Sequence, residues 1–233
     1  MIHPQFDLER WRDALRTHGR VQATDVLDPQ SAERLHAHLR DEVPWTLAWR
    51  DAAESRILPH ADYAALGEQG AADLVRRLQH EARGRYGFAY DSYMMVDAYK
   101  EGRDPGLLLH TVLEFLNSPA FLAFARELTG FERIRRVNAQ ATRYLPGHFL
   151  RRHNDFSSEN ERLVAYVINL GRDWQADWGG LLQFFDEAGQ VTESFVPRYN
   201  TLSLFRVPQL HAVSLVAPWA ERPRFGITGW FLS

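Results

Sequence analysis

No cysteine occurs in the 233 residues, and Lys100 is the only lysine, every other basic residue being arginine. The missing thiols exclude disulfides, zinc–thiolate sites, iron–sulfur clusters and a cysteine nucleophile, and they leave the redox compartment unread. No run of about 18 apolar residues is present to span a membrane. A strong charge of either sign is missing too: the formal net charge is −3, so the surface as a whole does not mark a nucleic-acid binder. The opening "MIHPQFDLERWRDALRTHG" lacks the charged-then-apolar order of a signal peptide, and a cytoplasmic address is expected. What is present, 45% hydrophobic and 24% charged residues, is ordinary for a globular chain long enough to bury one large core.

The first half reads as helical. Leu8, Trp11 and Leu15 recur at helical spacing between Asp7 and Arg16, with Gly19 as the stop, and "VQATDVL" then reads as a short strand. Asp28-Pro29 has the N-cap and first-turn residues of a helix start, with Ala32, Leu35 and Leu39 as the buried stripe. Another helix is expected over much of Ala71 to Arg83. Asp104-Pro105 and Ser118-Pro119 repeat the start signal ahead of "GLLLHTVLEFLN" and "AFLAFARELTG", the second closed by Gly130. His36 and His38, at i and i+2 on a helix, point about 200° apart and cannot share a metal.

Beyond Gly130 the segments become short and β-branched or aromatic: "RVNAQATRYL", "RLVAYVINL", "GGLLQFFD", "TLSLFRV", "HAVSLVA" and "RFGITGWFL". Such strands imply a sandwich, jelly roll or barrel, and with no linker or repeat in evidence the helices should pack on it. The expectation is an α+β chain of one domain over 1–233, helix-rich over 1–130 and with a β-core over 131–233.

Within that core lies His153-Asn154-Asp155. Residues i and i+2 of a strand share a face, so an imidazole and a carboxylate can converge there. His211, at the start of a later strand, would complete a two-histidine, one-carboxylate set of the kind that binds Fe(II) and leaves positions open for a chelating cosubstrate and O2. Alone, the pair reads more readily as a loop histidine and a turn aspartate. Arg224 follows His211 by 13 residues and opens the last alternating strand, where a guanidinium can take an anionic cosubstrate bidentately. Arg222, before Pro223 in a turn, is its rival.

Together "RYLPG", "HND", "INLGRDWQADWGGLLQFFD", "YNTLSLFRVPQLHAV" and "RFGITGWF" resemble, in order and spacing, the prolyl-hydroxylase-like branch of the Fe(II)- and 2-oxoglutarate-dependent dioxygenases. The resemblance is close over roughly residues 138–231 and extends to the N-terminal half only in general layout. It implies a double-stranded β-helix (jelly-roll) core with N-terminal helices packed on one sheet. It implies Fe(II) on His153, Asp155 and His211, with Arg224 on the C5 carboxylate of 2-oxoglutarate and Tyr144 of "RYLPG" hydrogen-bonded to that cosubstrate. Collagen-type members carry lysine at the position of Arg224, which this chain does not. Many relatives also carry a tyrosine where this chain has Asn169, so the cosubstrate contact there rests on an amide. Tyr166, at an odd offset, belongs on the other face. Thr228 and Trp230 alternate with Arg224 and share its side.

The resemblance implies hydroxylation of an unactivated C–H bond with Fe(II), 2-oxoglutarate and O2, the partner being a protein, peptide or amino-acid substrate, with no nucleic acid and no membrane. A prolyl residue of a protein or peptide is the first reading of the substrate. A free amino acid or a peptidic natural-product intermediate is the second, and an inactive β-core used for binding is the third. The turn-rich "MVDAYKEGRDPG" and "HNDFSSENER" are the segments expected to flank the opening. His148, Arg151 and Arg152 read as loop and solvated residues that lie near it. Oligomeric state is not legible.

Overall fold

A computed structural model of the chain describes residues 1–51, 53–156 and 162–233. Where the sequence places apolar stripes behind capping residues, helices form. Helix α1 (Leu8–His18) starts where the Asp7 carboxylate accepts the Arg10 N–H at 3.1 Å, and it stops at Gly19 with φ 71°. After strand β1 (Arg20–Thr24), helix α2 (Pro29–Asp41) opens on Asp28, which accepts the Ser31 N–H at 2.9 Å. On α2 the two histidines are held separately: His36 Nδ1 lies 2.8 Å from the Leu170 carbonyl and His38 Nδ1 lies 3.2 Å from Glu42.

The next stretch differs from a purely helical reading. Strands β2 (Thr46–Arg50) and β3 (Ser55–Leu58) form a hairpin, followed by α3 (His60–Ala65), α4 (Gly67–Glu81) and a further strand, β4 (Phe88–Tyr93). The polar turn-rich segment expected after it folds instead as helix α5 (Met95–Glu101), anchored by buried Met95 and Ala98. Asp104 does not start a helix. It sits at φ 48°, outside the extended conformation of an N-cap, and accepts the Tyr93 hydroxyl at 3.0 Å, so α6 (Leu108–Leu116) begins four residues later. Helix α7 (Pro119–Thr129) keeps both signals, Ser118 accepting the Phe121 N–H and Gly130 closing at φ 73°.

The remaining strands are β5 (Arg136–Val137), β6 (Gln140–Tyr144), β7 (Phe149–His153), β8 (Arg162–Asn169), β9 (Leu182–Phe185), β10 (Val191–Phe195), β11 (Thr201–Arg206), β12 (His211–Val213) and β13 (Arg224–Leu232). Among the described residues they run in the order β1-β11-β8-β13-β6-β4-β7-β12-β9-β10, all neighbours antiparallel. The two ends meet through side chains: Arg20 of β1 reaches Glu193 of β10 at 2.5 Å, and Gln22 donates to the Val196 carbonyl at 2.9 Å. The sheet therefore curls into a nearly closed barrel, a jelly-roll double-stranded β-helix. Strands β1 and β4 come from the first half of the chain, so the boundary expected at residue 130 divides composition, not architecture.

Period-2 alternation makes each central strand serve two cores. Val164, Tyr166 and Ile168 of β8, with Ile227 and Phe231 of β13, pack under Leu15, Leu35, Val112, Leu116, Phe121 and Leu128 of the helices. Tyr166 stacks on Phe231 at 5.1 Å and donates its hydroxyl to the Asn138 carbonyl at 3.0 Å. The opposite face of the same strands turns into the barrel, where Ala165 and Phe205 meet Leu182, Phe184 and Phe195. At about 1.5–3 kcal/mol for each large apolar side chain, the helical face supplies most of the burial that holds the barrel in shape.

Candidate active site

The first two groups meet because β7 and β12 pair in a register that sets His153 directly opposite His211. Their rings approach to 4.2 Å between centroids. Strand β7 ends at His153, so Asp155 arrives from the turn beyond it and not by strand alternation, as the spacing alone suggested. Asp155 Oδ1 lies 3.4 Å from His153 Nε2, and Oδ2 lies 3.5 Å from His211 Nε2. One ligand atom from each of the three lies within 4.8 Å of the others.

The chemistry of this donor set fits a divalent first-row cation. His153 Nδ1 sits 3.0 Å from the Arg151 carbonyl and His211 Nδ1 sits 2.8 Å from the Gln209 carbonyl. A carbonyl only accepts, so each Nδ1 carries the proton and each neutral ring turns the lone pair of Nε2 toward the carboxylate. Two lone pairs facing an anion repel it unless a cation lies between them. Burial pushes His211 down to about 4, which keeps it unprotonated at neutral pH. Arg162 braces the turn, donating to the Asp155 carbonyl at 3.3 Å while its guanidinium lies 3.9 Å above the Trp230 ring.

A cavity of about 590 Å³ extends from these three residues into the barrel and ends at Arg224 and Tyr144. These two are cross-strand partners on β13 and β6, and the guanidinium carbon lies 4.9 Å above the phenol ring. Arg224 is 5% exposed and its Nη1 has no hydrogen-bond partner among the described residues. A guanidinium buried without a counter-ion loses several kcal/mol of hydration, a loss that an anionic ligand would recover. Arg222 is different. It lies exposed and pairs with Asp173 at 2.5 Å.

The glycine pair of the "DWGG" segment makes room for this end. A Cβ on Gly179 would lie 2.0 Å from the Leu215 carbonyl oxygen. One on Gly180 would press on Trp174 at 3.1 Å and approach Arg224 Cδ at 3.5 Å. Thr228 and Trp230 line the cavity with Arg224, as alternation along β13 requires. Asn169 does not line it. It faces the interior beside Val167, but its amide nitrogen is committed to Thr201 at 3.1 Å and Ser203 at 3.2 Å.

His148 is buried within the fold, its Nδ1 accepting the Leu145 N–H at 3.2 Å. Arg151 is tied to the Ala82 carbonyl, while Arg152 lines the cavity mouth. The "SSENE" stretch, expected to flank the opening, lies outside the described residues. Sequence reasoning missed Tyr86 and Tyr90, which line the cavity from β4 and the turn before it. The signal was present as the alternation Tyr86-x-Phe88-x-Tyr90, hidden in a region read as helical.

Residues 139–232 match the model of the 2OG-Fe(II) oxygenase superfamily. The chain is 26% identical over 146 residues to prolyl 3-hydroxylase OGFOD1 of Mus musculus, a match over 60% of this chain but only 26% of that longer protein. In fold it is similar to a Pseudomonas putida prolyl-4-hydroxylase (TM-score 0.59, 22% identity, 97% of this chain and 99% of that one). It is also similar to a Trichoplax adhaerens prolyl hydroxylase solved with a hypoxia inducible factor peptide fragment (TM-score 0.61, 16% identity, 97% of this chain and 88% of that one).

Proposed function

We propose that this chain, whose residues 139–232 match the 2OG-Fe(II) oxygenase superfamily model, is a dioxygenase that hydroxylates a prolyl residue within a protein or peptide. The observation that carries the dioxygenase reading is the coexistence, in one cavity, of a three-residue cation site and a buried arginine whose Nη1 has no partner among the described residues. The prolyl-hydroxylase likenesses support the choice of substrate.

His153, Asp155 and His211 would hold Fe(II). Bound there with 2-oxoglutarate, it supplies the reaction in which O2 delivers one oxygen to a C–H bond and the other to succinate, with loss of CO2. The protein's share is placement and exclusion of water. The backbone carbonyls of Arg151 and Gln209 fix the ring orientation of both histidines. Arg224 takes the distal carboxylate of the cosubstrate at the closed end of the cavity, beside the Tyr144 ring. Thr228, Trp230 and Phe205 wall the space between that carboxylate and the cation site. The C–H to be oxidised then enters from the mouth.

The test is succinate release from 2-oxoglutarate and Fe(II) with a panel of proline-containing peptides, free proline and other free amino acids. Stimulation by a peptide, with an added oxygen on its proline by mass spectrometry, is the expected result. Turnover of free amino acids alone would replace the substrate class. Failure to bind 2-oxoglutarate would remove the dioxygenase reading itself.

A further inference from the structure

Resting on that reading, the geometry points to Tyr86 as the residue that selects a peptide over a free amino acid: we propose that its ring is the platform for the residue adjoining the hydroxylated proline.

A chain of four aromatic rings in contact runs from the closed end of the cavity to its mouth, three of them, Tyr144, Tyr90 and Tyr86, lining it. Tyr144 stacks on Tyr90 at 5.1 Å, Tyr90 meets Phe88 at 5.4 Å, and Phe88 meets Tyr86 at 6.1 Å. This row spans two environments. Its inner end, Tyr144, is buried under Arg224, whereas its outer end, Tyr86, is 40% exposed and stands 5.5 Å from the ring of His153. A cosubstrate anchored at Arg224 uses the inner end. A reacting C–H brought to the cation site from the mouth would come in beside Tyr86.

Charge at the mouth decides what can do so. The charged lining residues outside the three ligands and Arg224 are Arg152 and Arg162, and Asp155 is the only carboxylate among the described lining residues. A free amino acid would find guanidiniums there for its carboxylate but no further carboxylate among the described lining residues for its ammonium group. A prolyl residue inside a peptide has a neutral amide at that position and needs no such partner. An exposed aromatic face also suits proline-rich extended chains, whose ring hydrogens pack on aromatic surfaces and whose conformation is already ordered before binding.

The experiment is anaerobic, so that binding is read without turnover. A fluorescein-labelled peptide of alternating alanine and proline is titrated into the protein loaded with Fe(II) and 2-oxoglutarate, for the natural chain, Tyr86→Ala and Tyr86→Phe. Affinity for 2-oxoglutarate is measured in each as the check on folding. Tyr86→Ala is expected to weaken the peptide at least tenfold, Tyr86→Phe less than threefold, and neither to move 2-oxoglutarate more than twofold. Free proline at millimolar concentration should not displace the peptide. Peptide binding unchanged in Tyr86→Ala would overturn the inference and leave the dioxygenase reading standing. Equal loss of peptide and 2-oxoglutarate would also overturn it, making Tyr86 a brace for His153. A natural chain that binds 2-oxoglutarate but no peptide would remove the inference together with the peptide substrate.

Discussion

Strands β8 and β13 lie side by side, yet their two faces obey different rules. On the helical face Tyr166, Ile168, Ile227 and Phe231 are apolar or satisfied, closely packed and remote from the cavity. On the barrel face Arg224, Thr228 and Trp230 line the cavity, and Arg224 Nη1 and the Trp230 indole nitrogen lack hydrogen-bond partners among the described residues. One face lowers the free energy of the folded chain. The other raises it and is retained, which is the pattern expected where a ligand completes the structure.

The largest effect on the barrel face should follow loss of the shared carboxylate. Asp155→Ala leaves two neutral imidazoles and is expected to abolish tight Fe(II) binding and to lower turnover by at least about 100-fold, since even outer-shell partners of metal ligands are worth 10–100-fold. Anaerobic titration calorimetry and succinate release read this, with circular dichroism reporting an intact fold. Full activity in this variant would end the assignment.

A crossed pair of variants sharpens the contrast between faces. Phe231→Ala should destabilise the protein by about 3–5 kcal/mol in urea unfolding while leaving 2-oxoglutarate affinity within about twofold at low temperature. Arg224→Met should do the reverse, weakening 2-oxoglutarate by more than tenfold, in line with about 2–5 kcal/mol for one partner of a buried charged pair, while holding or raising the stability of the ligand-free protein. Arg222→Met should change neither measurably. If Arg224→Met destabilised the ligand-free chain as strongly as Phe231→Ala, the distinction between the faces would fail.

The smallest effect lies far from both, at the α2 cap. Hydrogen bonds from Ser31 hold the Asp28 carboxyl down to about 2. A carboxyl depressed on folding stabilises the protein above its unfolded value of about 4, and that contribution is lost as pH falls from about 4 through about 2. Asp28→Asn keeps a cap without the charge. The difference in stability between the two proteins should therefore be up to about 1 kcal/mol at pH 7 and vanish below about pH 2, measured by thermal unfolding across that range.

Local chemistry made much of this legible. Asp7, Asp28 and Ser118 cap helices because a carboxylate or hydroxyl beside free N–H groups acts over three residues, and no distant partner is needed. The alternation of β13 put Arg224, Thr228 and Trp230 on one face for the same reason, and the odd offset of Tyr166 sent it to the helices. The short spacing of His153 and Asp155, with a later strand opening at His211, suggested the three, but only the motifs around them singled them out. Asp104 escaped because its carboxylate answers to Tyr93, a contact that neither its neighbours nor its proline announces.

Pairing across the barrel was decided by tertiary structure alone. Strand β4 exists because β2, β6 and β7 accept its backbone groups, and only that placement lines Tyr86 and Tyr90 into the cavity. The approach of His211 to His153 follows from the β7–β12 register, and the Asn169 amide nitrogen is taken up by two hydroxyls that arrive on β11, 32 and 34 residues later. Caps and alternation are set by forces that reach one helical turn or one pleat, whereas register and strand insertion depend on hydrogen bonds between segments that are neighbours only after the chain has closed on itself.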